Sequence, residues 1–260
     1  MRVGVLGHGA IGARVAGVLR EGGVPGAELS AVLRRGAGAV PERVEDVREL
    51  VASADVVVEA AGQGALREYG PDILDAGRDL VAVSVGALAD DALFGRLSGA
   101  KGRLLVCQGA LGGLDVVRAA AIGGPLTAVR LTSSKAPGSL VQPWMDDGLA
   151  GRLRSLKPGD EPVVLHDGAA REAAERFPKN ANVAATLALA AGDWDAVRVR
   201  LVADPCASMT RHVVEFAGAV GQYRFELANL PDPDNPATSG LVPYAVLRTL
   251  ADLGASWRVA

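Results

Sequence analysis

Hydrophobic positions in the first 108 residues cluster in short, mainly apolar blocks, at 2–6, 29–33, 56–58, 80–83 and 104–106, and do not strictly alternate with polar ones. A strand that is apolar on both sides must be covered on both faces, as in a parallel sheet between two layers of helices. Between these blocks, apolar residues recur at three- and four-residue intervals over 10–20, 44–52, 64–76 and 89–97, the spacing of a helix with one buried face. Strand and helix therefore alternate. The chain up to about residue 108 predicts an α/β domain with a doubly wound parallel sheet of the Rossmann type.

Beyond Gly109 the pattern changes. Partly alternating β-rich runs at 129–134, 197–202, 213–217 and 223–227 join helical signals at 114–121 and 182–191, which suits a second, smaller α+β domain over 109–239 with an antiparallel or mixed sheet. After the turn Pro231-Asp232-Pro233-Asp234-Asn235-Pro236, residues 240–253 are again apolar at helical spacing. That segment, about 240–260, is expected to join the first domain as a C-terminal helix.

Composition narrows the function classes. The 260 residues are 49% hydrophobic and 22% charged with a formal charge of -3, so no single-sign field points to nucleic acid or to an anionic membrane. No apolar run reaches the length of a membrane span, and the first one ends at Gly7, too soon for a signal peptide. A cytoplasmic protein is expected. Two cysteines 99 residues apart and three histidines make a zinc cage or a disulfide framework unlikely, and no metal site is expected.

Candidate chemistry gathers at glycine-rich junctions. Gly7-His8-Gly9-Ala10-Ile11-Gly12 stands between the first strand and the first helix. Gly7 allows the turn, Gly9 admits a pyrophosphate against the backbone, and Gly12 lets helix and strand approach, while Ala10 and Ile11 open a helix whose amides face the phosphates. The second strand runs into Arg34-Arg35-Gly36 where an acid for the ribose hydroxyls is common. Two guanidiniums suit a 2′-phosphate, so NADP is favoured or tolerated beside NAD, although arginines on a solvated turn look the same. Ser84 and Gly86, in Ser84-Val85-Gly86-Ala87-Leu88, follow a strand and fall at the ligand-binding edge of the sheet.

Other candidates lie in the second domain. Gly109-Ala110-Leu111-Gly112-Gly113-Leu114-Asp115 is a small-residue loop that lets backbone approach a nicotinamide, or simply turns. Lys179-Asn180-Ala181-Asn182 precedes an alanine-rich helix, where Asn182 is an N-cap or a ligand. Of the histidines, His8 lies in the glycine loop, His166 precedes Asp167-Gly168 in an apparent turn, and His212 opens a β-rich run, which makes it the best placed acid/base. Cys107 ends an apolar strand without an adjacent cation and reads as a core thiol, not a nucleophile.

Taken in order, these motifs resemble the L-aspartate dehydrogenase family, NAD(P)-dependent enzymes that oxidise L-aspartate to iminoaspartate. The resemblance is carried by residues 7–12, 84–88, 109–115, 170–173 with 177–186, Asp204-Pro205 with His212, and Asn235-Pro236 with Thr238-Ser239. It implies that Ala110 and Asn182 contact the cofactor, that His212 is the acid/base, and that the second domain is catalytic and carries a homodimer interface. It also implies a substrate pair of L-aspartate, or oxaloacetate plus ammonia, and a role in amino-acid metabolism or NAD biosynthesis. Two substrate carboxylates need donors, and Lys135, Lys179, Thr238 and Ser239 are the candidates. The chain departs from the family pattern at Ala136, where a proline is usual, and at Thr210, where an asparagine two residues before the histidine is frequent. An amino-acid dehydrogenase or imine reductase with another substrate, or a non-catalytic dinucleotide sensor, would share these motifs.

Overall fold

A computed structural model describes residues 1–36, 39–178 and 181–257. The chain divides into two compact units, Met1–Gly109 with Val242–Ala260, and Ala110–Leu241. In the first unit, β1 (Arg2–Leu6) leads into α1 (Ala10–Arg20) and β2 (Glu28–Leu33). There follow β3 (Arg43–Val44), α2 (Val47–Ser53), β4 (Val56–Glu59), α3 (Gln63–Asp75), β5 (Asp79–Ala82), α4 (Asp91–Ser98) and β6 (Leu104–Val106). The strands lie in the order β3-β2-β1-β4-β5-β6 with every pairing parallel, the doubly wound order that the sequence predicts. Val3, Val5, Val57, Val58, Leu80 and Val81 have no exposed surface, as burial on both faces requires.

Two helices start later than their apolar spacing suggests. Arg43 and Val44 extend to pair with β2, and α2 begins only after Asp46, whose carboxylate accepts the amides of Arg48 and Glu49. Val85–Ala89 first forms a short 3₁₀ turn, and Asp90 then caps α4 by accepting from the Leu93 amide. In both cases a capping carboxylate fixes the boundary.

The second unit contains α5 (Leu114–Ile122), β7 (Thr127–Lys135), α6 (Asp147–Ser155), β8 (Val163–Ala169), α7 (Ala170–Arg176), α8 (Asn182–Ala191), β9 (Arg198–Ala203), β10 (Thr210–Gly218) and β11 (Gly221–Asn229). Its sheet, in the order β11-β10-β7-β9-β8, is mixed: β7 and β9 run parallel, and the other neighbours are antiparallel. It is as long as the first unit, not smaller. Along central β7, Val129, Leu131, Ser133 and Lys135 are buried while Arg130, Thr132 and Ser134 are half-buried, so two polar residues take inward positions of an otherwise apolar face.

The chain from 147 to 176 differs most from expectation. His166-Asp167-Gly168 has the composition of a turn, yet it lies within β8, which pairs with β9 across an irregularity between Val164 and His166. Pairing with a neighbour overrides the local turn preference. Finally α9 (Val242–Gly254) packs on α1 through a buried stripe that includes Val246, Leu247 and Leu250.

The packing of β1 against α1 separates two glycines of one helix. A Cβ at Gly12 would stand 2.1 Å from the Gly7 carbonyl oxygen, whereas one at Gly17 would meet nothing within 4 Å. Gly12→Ala is therefore expected to cost about 1–3 kcal/mol in thermal or urea unfolding. Gly17→Ala is expected to gain about 0.4–1 kcal/mol. Equal effects at the two positions would contradict this packing.

Candidate active site

The glycine loop of the first unit is shaped by backbone contacts. Gly7 has φ +99°, and a Cβ there would press on the Ala60 and Ala61 backbone at 2.7 Å. Only glycine fits. Gly9 immediately precedes α1, which has no side-chain cap, and a Cβ on it would find open space. The loop up to Gly9, just before α1, borders a cavity of about 670 Å³ lined by Gly7, His8 and Gly9 together with Arg34, Arg35 and Glu68; Ala10 and Ile11 are not among its lining residues. A phosphate can approach the backbone there without displacing a side chain, so the residues fit a dinucleotide.

Behind this loop lies a carboxylate that sequence reasoning missed. Glu59, at the end of β4 with no exposed surface, accepts the amides of Ala61, Gly62 and Ser84 and the Ser84 hydroxyl at 2.8–3.0 Å. Desolvation raises its pKa, against the lowering by these four donors. Ser84 therefore spends both of its donors on Glu59, and its carbonyl accepts the Ala87 amide at 3.0 Å inside the turn that follows. Gly86 is buried in the 3₁₀ turn that follows. Cys107, almost wholly buried, has its thiol pushed up to about 11, so it is no thiolate at neutral pH.

In the second unit, His212 on β10 lies directly opposite Ser133 on β7, and the Ser133 Oγ is 2.9 Å from the imidazole Nδ1. The pair is buried, His212 to 1% exposure. Burial, and then the nearby charge of Lys135, lower the imidazole pKa to about 3. Lys135 lies two residues beyond Ser133 on the same inward face, and burial lowers its ammonium to about 8. The departure at Thr210 thus leaves the ring with a partner, because Ser133 takes the orienting position. The signal in the sequence was the Leu131, Ser133, Lys135 alternation, which needs the strand register before it can be used.

The remaining predicted residues have separate local roles. The Ala110 carbonyl accepts from the Asn229 side chain at 3.0 Å, so the end of β11 holds the small-residue loop. Asn182 is the first residue of α8 and not its N-cap, which is Ala181; its carbonyl accepts the Thr186 hydroxyl. Thr238 Oγ1 accepts from Asn235, and Ser239 Oγ accepts the Leu241 amide, both within their own segment. Lys179 lies outside the described residues. His166, on β8, is separated from β10 by β9 and β7 and packs against Phe177. Among the described residues no group of three or more His, Cys, Asp or Glu could hold a metal ion, and no helix is long and apolar enough to cross a membrane.

Comparisons with known proteins identify the family. A family model described as aspartate dehydrogenase, C-terminal, matches residues 115–253, and one described as homoserine dehydrogenase, NAD binding domain, matches residues 7–104. The chain is 38% identical to an L-aspartate dehydrogenase of Ruegeria pomeroyi, covering 99% of this chain and 94% of that protein. It is 40% identical to L-aspartate dehydrogenase 2 of Bordetella pertussis, covering 96% and 95%. The crystal structure of aspartate dehydrogenase from Thermotoga maritima superposes with a TM-score of 0.78 at 26% identity, covering 100% of this chain and 99% of that one. A hyperthermophilic archaeal homoserine dehydrogenase in complex with NADPH shares the fold, at TM-score 0.61 and 12% identity over 97% of both chains.

The neutral imidazole has a consequence for stability. In the folded protein His212 stays unprotonated down to about pH 3, while its ordinary value is 6.5. The unfolded chain binds the extra proton in that window, so stability falls as pH drops from 6.5 towards 3. His212→Gln is expected to flatten this acid limb in melting temperatures measured between pH 7 and pH 4; identical slopes in both proteins would contradict the burial of a neutral ring.

Proposed function

The chain belongs to the L-aspartate dehydrogenase family of NAD(P)-dependent oxidoreductases, and from that membership we propose that it carries out the reversible oxidative deamination of L-aspartate with NADP or NAD. The observation that carries this reading is the buried group of His212, Ser133 and Lys135 within the part of the chain that matches the aspartate dehydrogenase C-terminal model. A dinucleotide held at the Gly7–Gly12 loop would supply the acceptor for the hydride of the substrate α-carbon. His212 accepts the proton that the neutral amine loses as iminoaspartate forms, and Ser133 at Nδ1 holds the ring so that Nε2 faces this task. Water then adds to the imine, giving oxaloacetate and ammonia.

Charge explains the preference for a dicarboxylate. A site that depresses both Lys135 and His212 disfavours positive charge when empty of anions, and a carboxylate beside Lys135 reverses this. It restores the full charge of Lys135 and lifts the imidazole towards the working pH, so the base is strengthened by the substrate it serves. Thr238 and Ser239, whose oxygens accept within their loop, keep hydroxyl protons for the second carboxylate.

Gly7, Gly9, Ala10, Ile11 and Gly12 would hold the pyrophosphate, with the Ser84 and Gly86 turn beside them. Ala110 and Asn182 serve the cofactor by resemblance to the family. A cytoplasmic homodimer completes the proposal. It rests on the resemblance to the family.

Purified protein given L-aspartate with NADP or NAD at alkaline pH is expected to produce reduced cofactor, and absence of reduction with both would overturn the proposal. His212→Ala is expected to lose at least ~100-fold in turnover. Lys135→Met is expected to raise KM for L-aspartate by about 10-fold or more through loss of a charge-assisted hydrogen bond, with a smaller change in kcat. A pure kcat defect would remove Lys135 from carboxylate binding.

A further inference from the structure

The adenosine end of the first unit's cavity carries two opposed kinds of charge. Leu33, at the end of β2, is followed by Arg34 and Arg35, so the strand tip offers no acid to ribose hydroxyls. The carboxylates that line the cavity come from elsewhere, Glu45 after β3 and Glu68 on α3. They differ in what they hold. Glu45 pairs with Arg43, whereas Glu68 meets the Arg35 guanidinium at 2.9 Å. Gly64 and Ala65, one turn before Glu68 on α3, line the same cavity, so Glu68 faces the ligand space along with the arginine it binds.

Resting on the NAD(P) reading above, we propose that Glu68 is the specificity-determining residue for the adenosine ribose. It accepts the ribose hydroxyls of NAD in place of the missing acid on β2 and competes with the 2′-phosphate of NADP for Arg35. The pair is exposed, Arg35 at 83% and Glu68 at 52% of their side chains, and an ion pair in that setting contributes little to stability. Arg35 can therefore leave Glu68 for a phosphate at small cost, but the carboxylate stays within reach and repels the incoming dianion. The same residue thus supports one cofactor and penalises the other. Removal of that one charge would shift the balance between the two cofactors.

The test measures binding directly, by titrating NADH, NADPH and 2′,5′-ADP into the full-length parent, Glu68→Gln, Glu45→Gln and Arg35→Ala, followed by nucleotide fluorescence or calorimetry. Glu68→Gln is expected to tighten NADPH and 2′,5′-ADP and to weaken NADH, moving the NADH-to-NADPH affinity ratio by about 10-fold. Arg35→Ala is expected to weaken NADPH and 2′,5′-ADP while sparing NADH. An unchanged ratio in Glu68→Gln, or an equal shift in Glu45→Gln, overturns the assignment of Glu68 while the dinucleotide site stands. A parent that binds neither NADH nor NADPH overturns the dinucleotide reading itself, and this inference with it.

Discussion

The constraint on which the second unit depends is the burial of two basic side chains on one face of a sheet. Lys135 and His212 stand on adjacent strands, both nearly without solvent, and each is held away from its charged form. For Lys135 the shift from 10.5 to about 8 corresponds to about 3 kcal/mol held against the folded state at neutral pH. A protein would shed that burden by placing an apolar residue on the strand, as it does at Leu131. Retention of the ammonium makes sense where an anion arrives to share the site, and burial then makes each charge-assisted contact stronger than it would be in water.

The first unit is governed by contact instead of charge. Gly7 and Gly12 are required because carbonyl and main-chain atoms stand where a Cβ would be, whereas a Cβ at Gly9 would meet nothing within 4 Å. Glu59 braces the turns after β4 and β5 with four hydrogen bonds, to Ala61, Gly62 and Ser84, so their backbone is held by the fold itself. Asn229 serves the Ala110 loop in a similar way from the end of β11, the strand that pairs with the one carrying His212. In each unit the residues expected to touch ligand are thus held by others that do not.

How much of this was legible in the sequence depends on the range of the interaction. The parallel strands were readable because apolar blocks such as Val56-Val57-Val58 have no other comfortable environment, and the glycine loop because its spacing is local. His212 stood out by chemistry and position. Ser133 did not, since its role exists only once β7 and β10 are in register. Glu59 was hidden for the same reason: its partner Ser84 lies 25 residues away. The strand containing His166 was mistaken for a turn because Asp167 and Gly168 favour one locally, while the pairing that decides the matter is made with β9. Asn182 looked like a cap and proved to be the first helical residue, a displacement of one position that propensity cannot resolve.

The central claim is that His212 waits as a neutral base whose strength rises when a dicarboxylate occupies the site. Ring carbon and nitrogen shifts of His212, followed by NMR through a pH titration of the protein with and without a non-reactive four-carbon dicarboxylate, test it most directly. The account predicts a ring that stays neutral to below about pH 4 in the free protein and takes up its proton at a clearly higher pH once the dianion is bound. A ring that titrates near its ordinary value of 6.5 in the free protein and does not respond to the dicarboxylate would contradict it.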